Sequence, residues 1–206
     1  MAKTYRINEI FYSLQGEGFH TGTPAVFVRF SGCNLACPFC DTDFASFTEM
    51  TLLELVDTVS DYLDDDGPFM IVLTGGEPAL QVDEELLTAL HTVGHVRIHI
   101  ETNGTKPLPK GIDWVTCSPK EGTKPVLKRV DELKVVFTEM KPMRSNARNQ
   151  WRRAEQQVEP WREAIRAEHY FLQPCSCANT EETVNYILAH PWWRLSLQTH
   201  KYINIR

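Results

Sequence analysis

The sequence predicts an α/β fold: a mainly parallel sheet arranged as a small, partly open barrel. Three observations support this. Strand-like and helix-like segments alternate along most of the chain, as in folds where helices connect parallel strands. Phe69 to Thr74 is a continuous apolar run, the pattern of a strand buried on both faces. There are too few helical segments to wrap a full eight-fold barrel. In chain order, Ile7 to Tyr12 and Ala25 to Phe30 read as strands, separated by the loop Gln15-Gly16-Glu17-Gly18. Thr51-Leu52-Leu53-Glu54 is a capping box that opens a helix. Leu52, Val56, Val59 and Leu63 fall on one face of that helix, and Gly67-Pro68 closes it. After the strand Phe69 to Thr74, Asp83 to Val93 reads as a helix. Val96 to Glu101 and Asp113 to Cys117 then read as strands. Leu133 to Phe137, Tyr170 to Gln173 and Leu195 to Gln198 complete the strands, with a helix around Glu181 to Ala189.

The chain has 206 residues, enough for one domain with a substantial core. Its formal net charge of -6 argues against a broad electrostatic grip on nucleic acid. No apolar run reaches membrane-spanning length. Met1-Ala2-Lys3-Thr4-Tyr5-Arg6 leads into strand-like sequence rather than a signal peptide. Six cysteines could suggest disulfides. Three of them are crowded together, however, and no secretory signal precedes them, so a reducing cytoplasm is expected. Met140 to Glu168 interrupts the alternation and carries seven basic residues: Lys141, Arg144, Arg148, Arg152, Arg153, Arg162 and Arg166. It reads as an exposed helical insertion at about 140–168, broken in two by Pro160. A docking surface for a reductant or other partner is the alternative.

Cys33-Asn-Leu-Ala-Cys37-Pro-Phe-Cys40 concentrates three thiols on one short loop. Three thiolates can hold three corners of a 4Fe-4S cube and leave the fourth iron open to an outside ligand. A closed structural zinc site would want four protein ligands. On spacing alone, buried or zinc-bound thiols remain the other reading. Thr74-Gly75-Gly76-Glu77-Pro78 follows an apolar strand about 35 residues after this loop. Gly-Gly lets a ligand approach the backbone, and Glu77 offers an acceptor for an ammonium group. The CxxxCxxC loop and the GGEP turn together resemble the radical S-adenosylmethionine enzymes.

The resemblance narrows further. Phe11 to Gly18, Arg29 to Leu35 and Cys40-Asp41-Thr42 are similar to 7-carboxy-7-deazaguanine synthases. So are Glu101-Thr102-Asn103-Gly104, Ser118-Pro119-Lys120, Glu132 to Val136 and the tail Gln198 to Ile205. The match runs in order from residue 7 to the end. It implies an abridged, partly open radical S-adenosylmethionine (β/α) barrel with a reduced helix set. It also implies a lyase that rearranges 6-carboxy-5,6,7,8-tetrahydropterin to 7-carboxy-7-deazaguanine with loss of ammonia, on the route to queuosine and related deazapurines. The implied cofactors are one 4Fe-4S cluster, S-adenosylmethionine regenerated each turnover, and Mg²⁺. The implied partners are an external electron donor such as flavodoxin and a second copy of the chain in a homodimer.

Carried over residue by residue, the resemblance gives Cys33, Cys37 and Cys40 to the cluster and Thr42 to Mg²⁺. Leu14, Gln15 and Gly16 would meet the pterin through the loop backbone, Thr74 would contact it, and Arg29 would pair with its carboxylate. An ordinary ion pair is the other reading of Arg29. The terminal carboxylate of Arg206 would reach the pterin, with a cationic side chain to accommodate beside it. Phe39, Cys40, Asp41, Gly76 and Glu77 would meet S-adenosylmethionine. Ser118-Pro119-Lys120 and Gln173-Pro174-Cys175-Ser176 would do the same from other strand ends. Glu101 is either a proton-relay carboxylate or the holder of the Thr102-Asn103-Gly104 turn. Cys117, Cys175 and Cys177 read as inert thiols, and His200 as a packing or hydrogen-bonding residue. Two other functions compete: an activase placing a glycyl radical on a protein, and a zinc or iron–sulfur module holding RNA with the basic stretch.

Overall fold

The computed structural model describes residues 3–40, 46–63, 69–138 and 151–206. A single nine-stranded sheet forms the frame. Its strands are β1 (Thr4–Leu14), β2 (Pro24–Phe30), β3 (Thr48–Thr51), β4 (Phe69–Gly75), β5 (Val96–Thr102), β6 (Trp114–Cys117), β7 (Arg129–Phe137), β8 (Arg166–Pro174) and β9 (Arg194–Leu195). Their order across the sheet is β3-β1-β2-β4-β5-β6-β7-β8-β9. From β2 to β9 every pairing is parallel, and only β1 runs antiparallel to its neighbours β2 and β3. The edge strands do not pair with each other, so the barrel stays open.

Among the described residues five α-helices accompany the strands: α1 (Leu52–Ser60), α2 (Glu84–Leu90), α3 (Arg152–Ala164), α4 (Thr180–Ala189) and α5 (Thr199–Ile203). Among the described residues no helix joins β5 to β6 or β6 to β7, which is the expected helix shortage. The predicted capping box forms: the Thr51 hydroxyl accepts from the Glu54 backbone N–H, and the Glu54 carboxylate accepts from the Thr51 N–H. Two apolar clusters cover the helix side of the sheet, one under α1 and α2 and one under α3 and α4. Phe11, Ala25, Phe27, Met70 and Val72 fill the opposite, concave side.

Three expectations change. Pro160 lies inside the unbroken helix α3 rather than splitting it. The missing N–H costs one bond near the C-terminal end, while Ala154 and Val158 are buried and Glu159 is anchored by four donors. The described part of the basic stretch is accordingly no exposed insertion. It is the crossover helix from β7 to β8, and residues 166–168 already belong to β8. The strand expected over Leu195 to Gln198 shortens to Arg194–Leu195. Gly67-Pro68, Lys141, Arg144 and Arg148 lie outside the described residues.

The open side is covered from within the chain. The loop after β1 is sealed by Thr199, whose N–H and hydroxyl both donate to the Gly16 carbonyl. Gly18 N–H donates to Ser196 Oγ, and Phe19 N–H to Glu132 Oε2. Gly18 has φ +68, and a Cβ there would lie 2.1 Å from Glu132 Oε1, so this turn needs glycine.

Candidate active site

At the carboxyl ends of the parallel strands lies a cavity of about 580 Å³. Sheet register builds its floor. Arg29 on β2 pairs with Thr74 on β4, and Leu73 pairs with Ile100 on β5, which sets Thr74 beside Glu101. Side chains alternate between faces, so these three point into the concave side with Phe27 and Val72 below them. The Thr74 hydroxyl donates to Glu101 Oε2 at 2.9 Å. Gln15 Nε2 donates to Glu101 Oε1 at 3.3 Å.

β7 contributes a charge that the sequence reading missed. Lys134 is 6 % exposed, and its Nζ donates to Glu17 Oε2 at 2.5 Å and Glu101 Oε1 at 3.2 Å. Burial alone would depress the ammonium's pKa, but the carboxylates of Glu101, Glu17 and Glu132 raise it. Burial likewise works against ionising Glu17. The Lys134 charge, with help from Gln198 and His200, nevertheless brings that carboxyl down to about 2. A signal was present in the strand itself. Glu132, Lys134 and Val136 alternate with the apolar Leu133 and Val135, so the charges must face inward, where a lysine is buried only when paired.

Cys33, Cys37 and Cys40 all line the cavity wall. Their loop is fixed from behind: Glu77 N–H donates to the Gly32 carbonyl, and Asn34 links to Asn103 and Thr105. The thiols are not drawn onto one point; among the described residues no three His, Cys, Asp or Glu are placed to share a single ion. A multi-iron cube takes one thiolate per iron, so separated thiols around one cavity fit it. Burial, together with Glu77 and the two neighbouring cysteines, pushes the Cys33 thiol's pKa up, against one backbone N–H from Leu35. A bound metal would reverse that preference.

The two glycines of the GGEP turn serve the chain itself. A Cβ on Gly75 would sit 2.3 Å from the Phe30 carbonyl oxygen, and one on Gly76 would sit 2.0 Å from that of Gly32. The close approach is therefore made by the cysteine loop's own backbone, although Gly76 still lines the cavity. Glu77 is fully buried and does not reach the cavity wall. Its carboxylate accepts from Thr102 Oγ1, Asn103 N–H and Ala79 N–H. Burial pushes that carboxyl's pKa up against those donors. Glu77, not Glu101, thus holds the Thr102–Gly104 turn, and Glu101 is left facing the cavity.

Leu14, Gln15, Gly16, Phe39, Ser118 and Lys120 also line the cavity, as do Gln173, Pro174, Cys175 and Ser176. Pro119 does not, and Asp41 and Thr42 lie outside the described residues. Lys120 Nζ donates to Ser118 O at 2.6 Å and Ser118 Oγ at 2.8 Å, and burial lowers its pKa. Arg29 forms an ion pair with Glu9: Nε lies 2.9 Å from Oε1. The other Glu9 oxygen takes the Arg206 guanidinium at 2.9 Å, and Ser13 Oγ donates to the Arg206 carbonyl. The cationic tail side chain is thereby accommodated over the Phe11 ring, where Arg29 also lies. Glu9, Glu17, Lys134, Gln198 and His200 are cavity residues to which the motif reading gives no role in the site, His200 being read there as a packing or hydrogen-bonding residue.

Residues 27–138 match the model of the radical SAM superfamily. A 7-carboxy-7-deazaguanine synthase of Bacteroides thetaiotaomicron is 54% identical over 98% of both chains. One of Bradyrhizobium diazoefficiens is 41% identical over 98% of this chain and all of its own. The crystal structure of QueE from Escherichia coli superposes with a TM-score of 0.73 at 28% identity, covering 96% of this chain and 95% of that one. By superfamily, sequence and structure, the chain belongs to the 7-carboxy-7-deazaguanine synthase family of radical SAM proteins.

Proposed function

We propose that the chain converts 6-carboxy-5,6,7,8-tetrahydropterin to 7-carboxy-7-deazaguanine with loss of ammonia. One observation carries this reading: the three thiols open onto the same cavity as Arg29, Thr74 and Glu101. A single cavity thus offers cluster ligands, a cation for a carboxylate and a cavity-facing proton acceptor. Cys33, Cys37 and Cys40 would hold a 4Fe-4S cluster, which with S-adenosylmethionine would supply the radical chemistry needed for hydrogen removal at C6 of the pterin.

The chain's own groups bind and orient. Arg29 presents a planar cation to the substrate carboxylate, its Nε fixed by Glu9. The loop Leu14-Gln15-Gly16 lies over the pterin and is kept in place by Thr199. The Thr74 hydroxyl is directed by Glu101. Phe39, Cys40, Gly76, Ser118, Lys120 and Gln173 to Ser176 line the region that would receive S-adenosylmethionine, and Asp41, Glu77 and Pro119 are proposed to support it. Thr42 is the proposed Mg²⁺ ligand, its hydroxyl suiting a hard ion. An electron donor such as flavodoxin, a homodimer and a cytoplasmic location complete the proposal. The terminal carboxylate of Arg206 would reach the pterin, supported by the bond that Ser13 Oγ donates to its oxygen.

The deciding experiment is anaerobic turnover of authentic carboxytetrahydropterin with product analysis. Conversion to the deazapurine that is lost in Cys37→Ala and slowed without Mg²⁺ supports the reading. Normal turnover by Cys37→Ala contradicts it.

A further inference from the structure

Lys134 has an unusual position. It lies on β7, a central strand, with a side chain almost fully removed from water. A lysine so placed persists only with compensating charge and satisfied donors. Its compensation comes from two different elements: Glu17 on the loop after β1 and Glu101 on β5. Both ends of this bridge lead onward. Glu17 Oε1 accepts from Gln198 Nε2 at 2.9 Å, in the segment that also seals the Gly16 carbonyl. Glu101 accepts from Thr74 and Gln15 at the cavity floor. The Gly16 backbone in turn packs so closely on His200 that a Cβ there would meet Nδ1 at 2.2 Å.

Resting on the reaction proposed above, we infer that Lys134 is the positioning residue of this site. Its ammonium, clasped between Glu17 and Glu101, directs the Glu101 carboxylate at the substrate and ties it to the substrate-binding loop. Loss of ammonia from a tetrahydropterin requires a ring proton to leave carbon and a proton to reach the departing amine. Glu101 takes the first, the C–H bonding pair staying on the substrate, and the same proton is available for the amine as its C–N bond breaks. An acceptor with this task must be held at the carbon it serves, and the Lys134 clasp, with Gln15 and Thr74, fixes both Glu101 oxygens.

The charged groups facing this centre are Glu17 from the loop, Glu101 from β5 and Glu132 from β7. Lys120 faces it from the segment after β6, and His200 from α5. Three substitutions separate their roles. Lys134→Met removes the clasp and leaves the Glu17 and Glu101 carboxylates to repel each other, so Glu101 loses its direction. Glu17→Gln loosens the tie to the loop but leaves the cation on Glu101, so KM rises more than kcat falls. Lys134→Arg keeps the charge and restores most of the native rate.

The test combines steady-state kinetics with crystal structures of the full-length variants. We expect folded Lys134→Met to lose about a hundredfold or more in kcat/KM, in the range a misdirected acid–base group costs, and Lys134→Arg to recover most of it. In the Lys134→Met structure Glu101 should turn away from the Thr74 hydroxyl and the loop after β1 should shift. Glu101 and the loop unmoved in folded Lys134→Met overturns the inference. The structures need no turnover. A native chain that fails to convert the pterin while Glu101 moves as stated therefore overturns the proposed reaction and leaves the Lys134 assignment standing.

Discussion

Glu9 shows how one residue can organise a binding site. Register slips between Ile7 and Glu9 on β1, leaving Asn8 as an extra residue, a bulge of the kind that re-aims side chains beside active sites. Glu9 then meets Arg29 with one oxygen and Arg206 with the other. Glu9 thereby fixes the orientation in which the Arg29 guanidinium meets a substrate carboxylate. Glu9→Gln should raise KM for the pterin about fivefold with little change in kcat, the scale of a partly exposed ion pair. Steady-state kinetics checks this; a fall in kcat at constant KM would assign Glu9 a different role. Arg29 itself was legible, because its motif and its chemistry agree. Glu77 and Glu101 were harder to separate: both are acids at strand ends, and only register decides which one turns inward. Lys134 was hidden because its partners lie 33 and 117 residues away in sequence.

At the level of elements, local chemistry and close approach set the framework. The reciprocal bonds of Thr51 and Glu54 begin α1, so Thr51→Ala should lower stability by about 1 kcal/mol in equilibrium denaturation, without changing cluster content. Gly76 has the opposite profile. A methyl there would meet the Gly32 carbonyl, which nothing flexible can relieve, so the cysteine loop must shift. Gly76→Ala should therefore lower iron per chain after reconstitution by half or more while thermal stability changes little. Full iron loading in that variant would refute the packing account. The capping box and the parallel strands were readable because each depends on neighbours in sequence. β3 was not, since four residues with no buried position carry no periodic signal. Pro160 misled because helix continuity at that point depends on Ala154, Val158 and the Glu159 anchor, all of which are tertiary.

The whole molecule is an open parallel sheet closed by its own loop and tail, and the two closures share residues with the cavity. Glu17 belongs to the sealing loop and to the Lys134 bridge, and Gln198 joins the tail to the same point. Fold class, helix shortage and the position of the cavity at the strands' carboxyl ends could be read from alternation and motifs. How the open side is covered could not, because it depends on contacts between the first and last parts of the chain, such as Ser13 with Arg206. The central claim is that three thiols on one cavity hold a cube with an iron left free for S-adenosylmethionine. The electron paramagnetic resonance spectrum of the anaerobically reconstituted, reduced chain, recorded with and without S-adenosylmethionine, tests it most directly. The account predicts a 4Fe-4S signal that changes when S-adenosylmethionine is added. A colourless protein with stoichiometric zinc, or a cluster signal unaffected by the addition, would contradict it.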